Sequence, residues 1–222
     1  MRFGLVIFDC DGVLVDTERL TVAVEARVLT ELGWPHTPTD VVTRFMGRSS
    51  DAQLAELEDR LGPTKTRLFD ELTTAELHAA FERDLVEVPG IRQVMDTLAR
   101  WGVATCVASS GSHTKMRRTL GLTGLYDHFD GRIFSASEVE HGKPAPDLFL
   151  HAASTMGVAP SRCAVVEDSA FGVQAAVAAG MVAYGFGGGL APAGSLADAG
   201  ATVFEEMETL VDLLGHSPAS IA

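Results

Sequence analysis

The chain has 222 residues, 30 Asp and Glu against 17 Lys and Arg, a formal net charge of -13, and 46% hydrophobic residues. That length accommodates one large domain, or one domain carrying a smaller insert, and the apolar fraction argues against a disordered chain. The acidic balance excludes a surface built to neutralise nucleic-acid phosphates or an anionic membrane, and no segment reaches the ~18 consecutive apolar residues of a membrane span.

The first predicted element is a strand over Leu5-Val6-Ile7-Phe8, too short for a core helix and apolar throughout, as a strand buried on both faces must be. It ends at Asp9 with no small-residue cleavage site. Residues 17 to about 86 then show helix signals and no strand: Val22, Ala26 and Leu29 form one stripe, Leu54, Leu57 and Leu61 another, Leu77, Phe81 and Leu85 a third. Turn residues at Gly33, Trp34-Pro35 and Gly62-Pro63 divide them into four helices. Behind Pro89-Gly90, the positions Ile91, Val94, Met95 and Leu98 predict an amphipathic helix. A second strand follows over Val103 to Ala108, ending at Ser109-Ser110-Gly111. A third, Ala164 to Val166, ends at Glu167-Asp168 and leads into a helix with Ser169 as N-cap and Phe171, Gln174, Ala175 and Ala178 on one face. A fourth, Val182 to Tyr184, runs into the glycine-rich turn Gly185 to Gly189, and the tail frays from Gly215.

Alternating strands and helices predict an α/β fold with a Rossmann-like parallel sheet, whose ligands gather at the carboxyl ends of the strands. The helical block, residues 17-86, is expected as a cap inserted into a core made of 1-16 and 87-222. Cys10, Cys106 and Cys163 lie far apart without CxxC spacing, so free core thiols in a reducing, cytoplasmic compartment are expected.

Polar residues mark the predicted strand ends. In Asp9-Cys10-Asp11-Gly12, period-two geometry sends both carboxylates to one side, and Gly12 lets the backbone turn away. Two close carboxylates need a cation beside them or a shared proton, which suits acid/base or metal chemistry; an Asp pair capping a turn is the alternative. Glu167 and Asp168 end another strand, and oxygen donors without nearby His or Cys suit Mg2+ better than zinc. Ser109 offers a hydroxyl and neighbouring backbone N–H groups as an anion cradle, or simply an N-cap. Lys143, in GKPAPD, could meet a phosphate or be solvated.

Together, DCDGVLVDTE at 9-18, ASS at 108-110, GKPAPD at 142-147 and VVEDS at 165-169 resemble the haloacid dehalogenase superfamily, specifically its members with a helical cap after the first strand. The resemblance covers almost the whole chain. It implies that Asp9 is the nucleophile and Asp11 the general acid and base. Mg2+ would be held by Asp9, the Asp11 carbonyl and Asp168, with Glu167 ligating directly or through water. Ser109, Ser110 and Lys143 would bind the phosphoryl group. Asp11 argues for phosphate chemistry, because the superfamily's dehalogenases lack that second aspartate.

The related β-phosphoglucomutases carry a His ten residues after the acid/base Asp, where this chain has Thr21, and their cap-loop Arg is displaced here to Arg48. Hydrolysis of a phosphate monoester is therefore expected, with a sugar-phosphate mutase as the alternative. The expected ligand is a small phosphorylated metabolite, with neither nucleic acid nor membrane, and the chain a monomer or weak homo-oligomer. Glu18, Arg44, Gly47 and Arg48 of the cap are the candidates for choosing the substrate, since the core reads only the phosphate.

Overall fold

The strand Leu5–Phe8 (β1) is at the centre of a six-stranded sheet, and all four of its side chains are fully buried. The computed structural model describes residues 2–45, 50–190 and 193–215. The other strands are β2 (Ala104–Ser109), β3 (Ile133–Ser135), β4 (Cys163–Glu167), β5 (Val182–Phe186) and β6 (Thr202–Phe204), in the order β3-β2-β1-β4-β5-β6. Every pairing is parallel. The chain therefore crosses over β1 between β3 and β4. In such sheets the place where winding direction reverses leaves a crevice beyond the strands' carboxyl ends. Register aligns those ends: Phe8 pairs with Val107 on one side and Val166 on the other, so Asp9 emerges level with Ala108 and Glu167.

Sequence patterning missed β3 and β6. Each has three residues and lies at an edge of the sheet. Three residues are too few to display a period of two. Gly185, expected in a turn, is inside β5, where an added Cβ would come within 3.0 Å of both Ala201 and Leu196.

The helix α4 (Ile91–Arg100) buries the predicted stripe Ile91, Val94, Met95 and Leu98. In α7 (Ala170–Ala178), Ser169 is the N-cap and accepts from the Gly172 amide, but the buried residues are Gly172, Val173, Ala175 and Ala176. The predicted face was rotated because that helix is small and apolar nearly all round, so periodicity alone selects no side. Around the sheet, α5 (His113–Leu122), α6 (Asp147–Thr155), α8 (Ala193–Asp198) and α9 (Leu210–Gly215) complete the helices of this part. The core beneath α6 and α7 packs Leu148, Phe149, Val173 and Ala176 against Ile7, Cys106 and Val165.

The chain divides into two compact units, Met1–Asp16 with Val86–Ala222, and Thr17–Leu85. The second holds α1 (Thr17–Glu31), α2 (Pro38–Phe45) and α3 (Ser50–Asp84). At Gly62, φ 75° and ψ 162° break α3 into two arms just before Pro63. Glycine tolerates that backbone and proline cannot continue the first arm's hydrogen bonding. Val24, Val28, Leu32 and Ala80 form this unit's core, with Phe69 and Leu77 packed against it. Leu54, predicted on an apolar stripe, is instead exposed. Among the described residues no helix is long and apolar enough to cross a membrane.

Candidate active site

Asp9 continues the β1 ladder by one hydrogen bond, its amide donating to the Val166 carbonyl at 2.9 Å. The backbone then folds back on itself: Gly12, with φ 74°, donates to the Val15 carbonyl, and Leu14 and Val15 both donate to that of Cys10. Asp16 and Val88 then bond to Val86 and Leu14, so the segments leaving and re-entering the sheet unit are paired.

The buried Lys143 ammonium stands between two buried carboxylates. Its Nζ donates to Asp9 Oδ1 at 2.5 Å and Glu167 Oε1 at 2.6 Å, and to the Ala108 carbonyl at 3.2 Å. The Phe149 ring lies beneath it, 5.1 Å from Nζ to the centroid. Burial alone would lower the Lys143 pKa, but Asp9 and Glu167 outweigh this and hold it well above the ordinary lysine range. For Asp9, burial pushes the carboxyl up to about 7, opposed by Lys143 and reinforced by Glu167 and Asp11. The consequence is a permanent cation at the mouth of a strongly acidic crevice.

Asp11 has its own cation, which sequence reasoning missed. Lys115 Nζ donates to Asp11 Oδ2 at 2.7 Å, with both side chains partly exposed. Burial lowers the Lys115 pKa, but Asp11, with smaller contributions from Cys10 and Asp9, more than offsets it, so the net shift is upward. The signal lay in ASSGSHTK: Ser112, the N-cap of α5, accepts from the Lys115 amide and so sets the turn that aims Lys115 back at the strand end. Ser109 is buried and accepts from the Gly111 amide at 3.2 Å, so it caps its own turn rather than the helix. Ser110 is exposed.

Both oxygens of Glu167 are engaged inside the protein. Oε1 meets Lys143, and Oε2 accepts from the Ser169 amide at 2.9 Å and its hydroxyl at 2.8 Å. Glu167 thus holds Lys143 through one oxygen and is itself held by Ser169 through the other. Asp168 is buried next to it at the end of β4. Among the described residues no group of three or more His, Cys, Asp or Glu forms a ready-made metal cage. The donor chemistry nevertheless fits a hard divalent cation: four carboxylates, Asp9, Asp11, Glu167 and Asp168, face two lysines. The formal excess of negative charge is carried wholly by oxygen.

Gly172 is the other residue that sequence reasoning overlooked. A Cβ at this position would overlap the Glu167 carboxylate, which Lys143 and Ser169 prevent from moving aside. Gly172→Ala is therefore expected to displace Glu167 and let Lys143 drift, lowering kcat by about tenfold or more with a smaller change in melting temperature. Unchanged kcat would show that Glu167 does not position the lysine.

The cap candidates separate. Glu18 is partly buried in the first turn of α1. Arg44 is bound to Glu56 through Nε at 2.6 Å and Nη2 at 2.5 Å, and its guanidinium lies 4.8 Å from the Trp34 ring centroid. Both nitrogens meet the same oxygen, Glu56 Oε1, and this stacked arrangement ties Arg44 of α2 to α3. Gly47 and Arg48 lie outside the described residues.

A family model for haloacid dehalogenase-like hydrolases matches residues 3–180. The chain is 30% identical over 187 residues to the 6-phosphogluconate phosphatase of Escherichia coli, covering 83% of each protein. It is 32% identical over 216 residues to the phosphorylated carbohydrates phosphatase of Thermotoga maritima, covering 94% of this chain and 97% of that one. A solved hydrolase of the same family from Deinococcus radiodurans, with bound phosphate and sodium, matches with a TM-score of 0.82 at 31% identity. That match covers 96% of this chain and 95% of the other.

Proposed function

Since this chain belongs to the haloacid dehalogenase-like hydrolases, we propose that it hydrolyses the phosphate monoester of a small sugar or polyol, with Asp9 as nucleophile. The observation that carries this reading is the Lys143 ammonium clamped between Asp9 and Glu167 at the strand ends. A carboxylate approaching a phosphate dianion is repelled unless cations screen the developing charge, and Lys143 is one such cation. Relatives named as phosphatases of 6-phosphogluconate, fructose-1-phosphate and hexitols support the substrate class.

In this mechanism Asp9 attacks phosphorus and the ester oxygen leaves, so that an aspartyl-phosphate links the two displacements. Asp11, which must first take up a proton from solvent, gives it to the departing alcohol and then takes one from the water that releases phosphate. To do so its carboxyl must leave Lys115, which holds it in the present arrangement. In this reading the Ser109 hydroxyl and Ser110 would bind the phosphoryl group, and Lys143 stays paired with Glu167 throughout. Asp9, Asp168 and the Asp11 carbonyl would hold Mg2+, with Glu167 placed behind them. When bound, that ion supplies the remaining positive charge needed to offset the phosphate.

At the place where mutase relatives carry a His, the Thr21 hydroxyl donates to the Thr17 carbonyl at 2.9 Å and no imidazole is available. Hydrolysis rather than phosphoryl return is the expected outcome. Phosphate release measured over sugar, polyol, nucleotide and glycolate phosphates with Mg2+ tests the proposal, and no release from any sugar or polyol phosphate would reject it. The Asp11 role has its own check. Asp11→Asn should slow hydrolysis of sugar phosphates by about 100-fold or more. An activated aryl phosphate, whose leaving group hardly needs a proton, should suffer much less. Equal losses on both would remove Asp11 as the acid.

A further inference from the structure

Asp11 and Lys115 belong to the same compact unit, and α5 grips the segment Cys10-Asp11 at two successive turns. Lys115 Nζ donates to Asp11 Oδ2 at 2.7 Å. Four residues further on, the buried Thr119 hydroxyl lies 3.9 Å from the buried Cys10 thiol. Residues four apart share a helix face, so one face of α5 meets both residues that follow Asp9. The backbone of Lys115 is tied on both sides. Its amide donates to the N-cap Ser112 at 3.3 Å, and its carbonyl accepts from the Thr119 hydroxyl at 3.2 Å.

The stem of Lys115 is directed as well. It passes beside Gly111, where an added Cβ would stand 3.6 Å from Lys115 Cδ. Gly111 is itself braced: its amide donates to Ser109 Oγ at 3.2 Å, and its carbonyl accepts from the buried Ser135 hydroxyl at 2.8 Å. The ammonium is therefore delivered to a set place although the Lys115 side chain is 44% exposed. A hydrogen bond between two charged groups holds a carboxylate more firmly than a neutral donor would.

The two displacements ask different things of Asp11. In the first it must move to the departing alcohol. In the second it must wait as a carboxylate where the attacking water can reach it. There the water oxygen bonds to phosphorus, the bond from phosphorus to the Asp9 oxygen breaks with its electron pair returning to Asp9, and the water's proton passes to Asp11. A cation that holds the carboxylate form serves the second displacement and not the first.

We propose that Lys115 is a positioning residue for the second displacement, holding the Asp11 carboxylate, once the alcohol has left, where it receives the proton of the attacking water. This inference rests on the phosphatase reading. Lys115→Met tests it, because methionine keeps the stem beside Gly111 and removes the ammonium, and a partly exposed side chain is replaced without harm to the core. With an activated aryl phosphate and Mg2+, hydrolysis of the aspartyl-phosphate limits kcat, whereas kcat/KM reports only the steps up to departure of the aryl group. The variant is expected to lose about fivefold in kcat and about fivefold in KM together, leaving kcat/KM within about twofold of the unmodified protein. Rapid mixing should show a burst of aryl alcohol approaching one per enzyme before the slower steady rate.

A second measurement asks whether Lys115 acts through Asp11. Adding Lys115→Met to Asp11→Asn should lower the aryl-phosphate kcat no further, because no carboxylate remains to be held. A lysine that only supported the fold, or that bound the phosphoryl group itself, would lower kcat/KM and would do so in both backgrounds. An unchanged kcat, a kcat/KM that falls as far as kcat, or a further loss in the Asp11→Asn background overturns the proposal while the unmodified enzyme remains active. No turnover of any phosphate monoester by the unmodified protein would instead remove the phosphatase reading, and this inference with it.

Discussion

Replacing Asp9 with Asn is expected to lower phosphate release by about 10⁴-fold or more while leaving the protein folded. Asparagine has the same shape and still offers an oxygen to Lys143, so the bond between Lys143 and position 9 can persist. What disappears is the negatively charged oxygen that attacks phosphorus. Stability should hold because Asp9 is buried beside Glu167 and Asp11, which together with burial disfavour its charge. A neutral amide relieves that repulsion. Phosphate release and a thermal melt, measured on the same preparation, decide the matter. Residual Mg2+-dependent turnover above a few per cent of the unmodified rate would exclude Asp9 as nucleophile.

Lys143→Met is expected to damage both activity and stability. Turnover should fall by about 10²-fold to 10³-fold, because a preorganised charge facing the phosphoryl group is lost. Stability should fall as well, since Asp9 and Glu167 would be left buried and facing each other without their shared cation. Removing one partner of such a buried arrangement costs about 3–5 kcal/mol. The pH dependence follows from the carboxylates. With Lys143 present the folded Asp9 pKa is already raised to about 7, and removing the cation that lowers it raises it further. The extra destabilisation of the variant is therefore absent at acid pH, where Asp9 is protonated in both proteins, and appears as pH rises through the folded value of the unmodified protein towards the higher value of the variant. The gap in melting temperature between the variant and the unmodified protein, measured with a chelator present, should widen from pH 5 to pH 8. A gap that narrows over that interval would show that the lysine does not neutralise this pair.

These two residues also show how much was legible before any coordinates. Leu5 to Phe8 could only be a buried strand, because four consecutive apolar residues ending in an acid have no other economical use in an α/β pattern. The end of that strand placed Asp9, and the end of Ala164 to Val166 placed Glu167. The short motifs were local in sequence, and local geometry largely determined where their backbones went. Ser169 as an N-cap and the Ile91, Val94, Met95, Leu98 stripe were readable for the same reason.

Partnerships across the sheet were not readable. Lys143 is 134 positions from Asp9, and Lys115 is 104 from Asp11. No periodicity links such pairs; the parallel register of β1 with β2 and β4 brings their loops to one edge. Arg44 illustrates the converse. Its sequence position suggested a substrate contact and gave no sign of Glu56 and Trp34, which the fold puts within its reach. Gly172 and Thr73 make the same point through space rather than charge. One lacks a Cβ because a carboxylate occupies that volume, and the other is a threonine buried beside a groove of the helical unit.

The sequence by itself determined the strands with enough residues to show their pattern, the helix caps and the set of acids and lysines available for chemistry, because each depends on neighbours within a few positions. Which lysine neutralises which aspartate, which glutamate Arg44 meets, and where a groove remains were decided only by the tertiary structure. Charge pairing and excluded volume act between atoms within a few ångströms, whatever their separation along the chain.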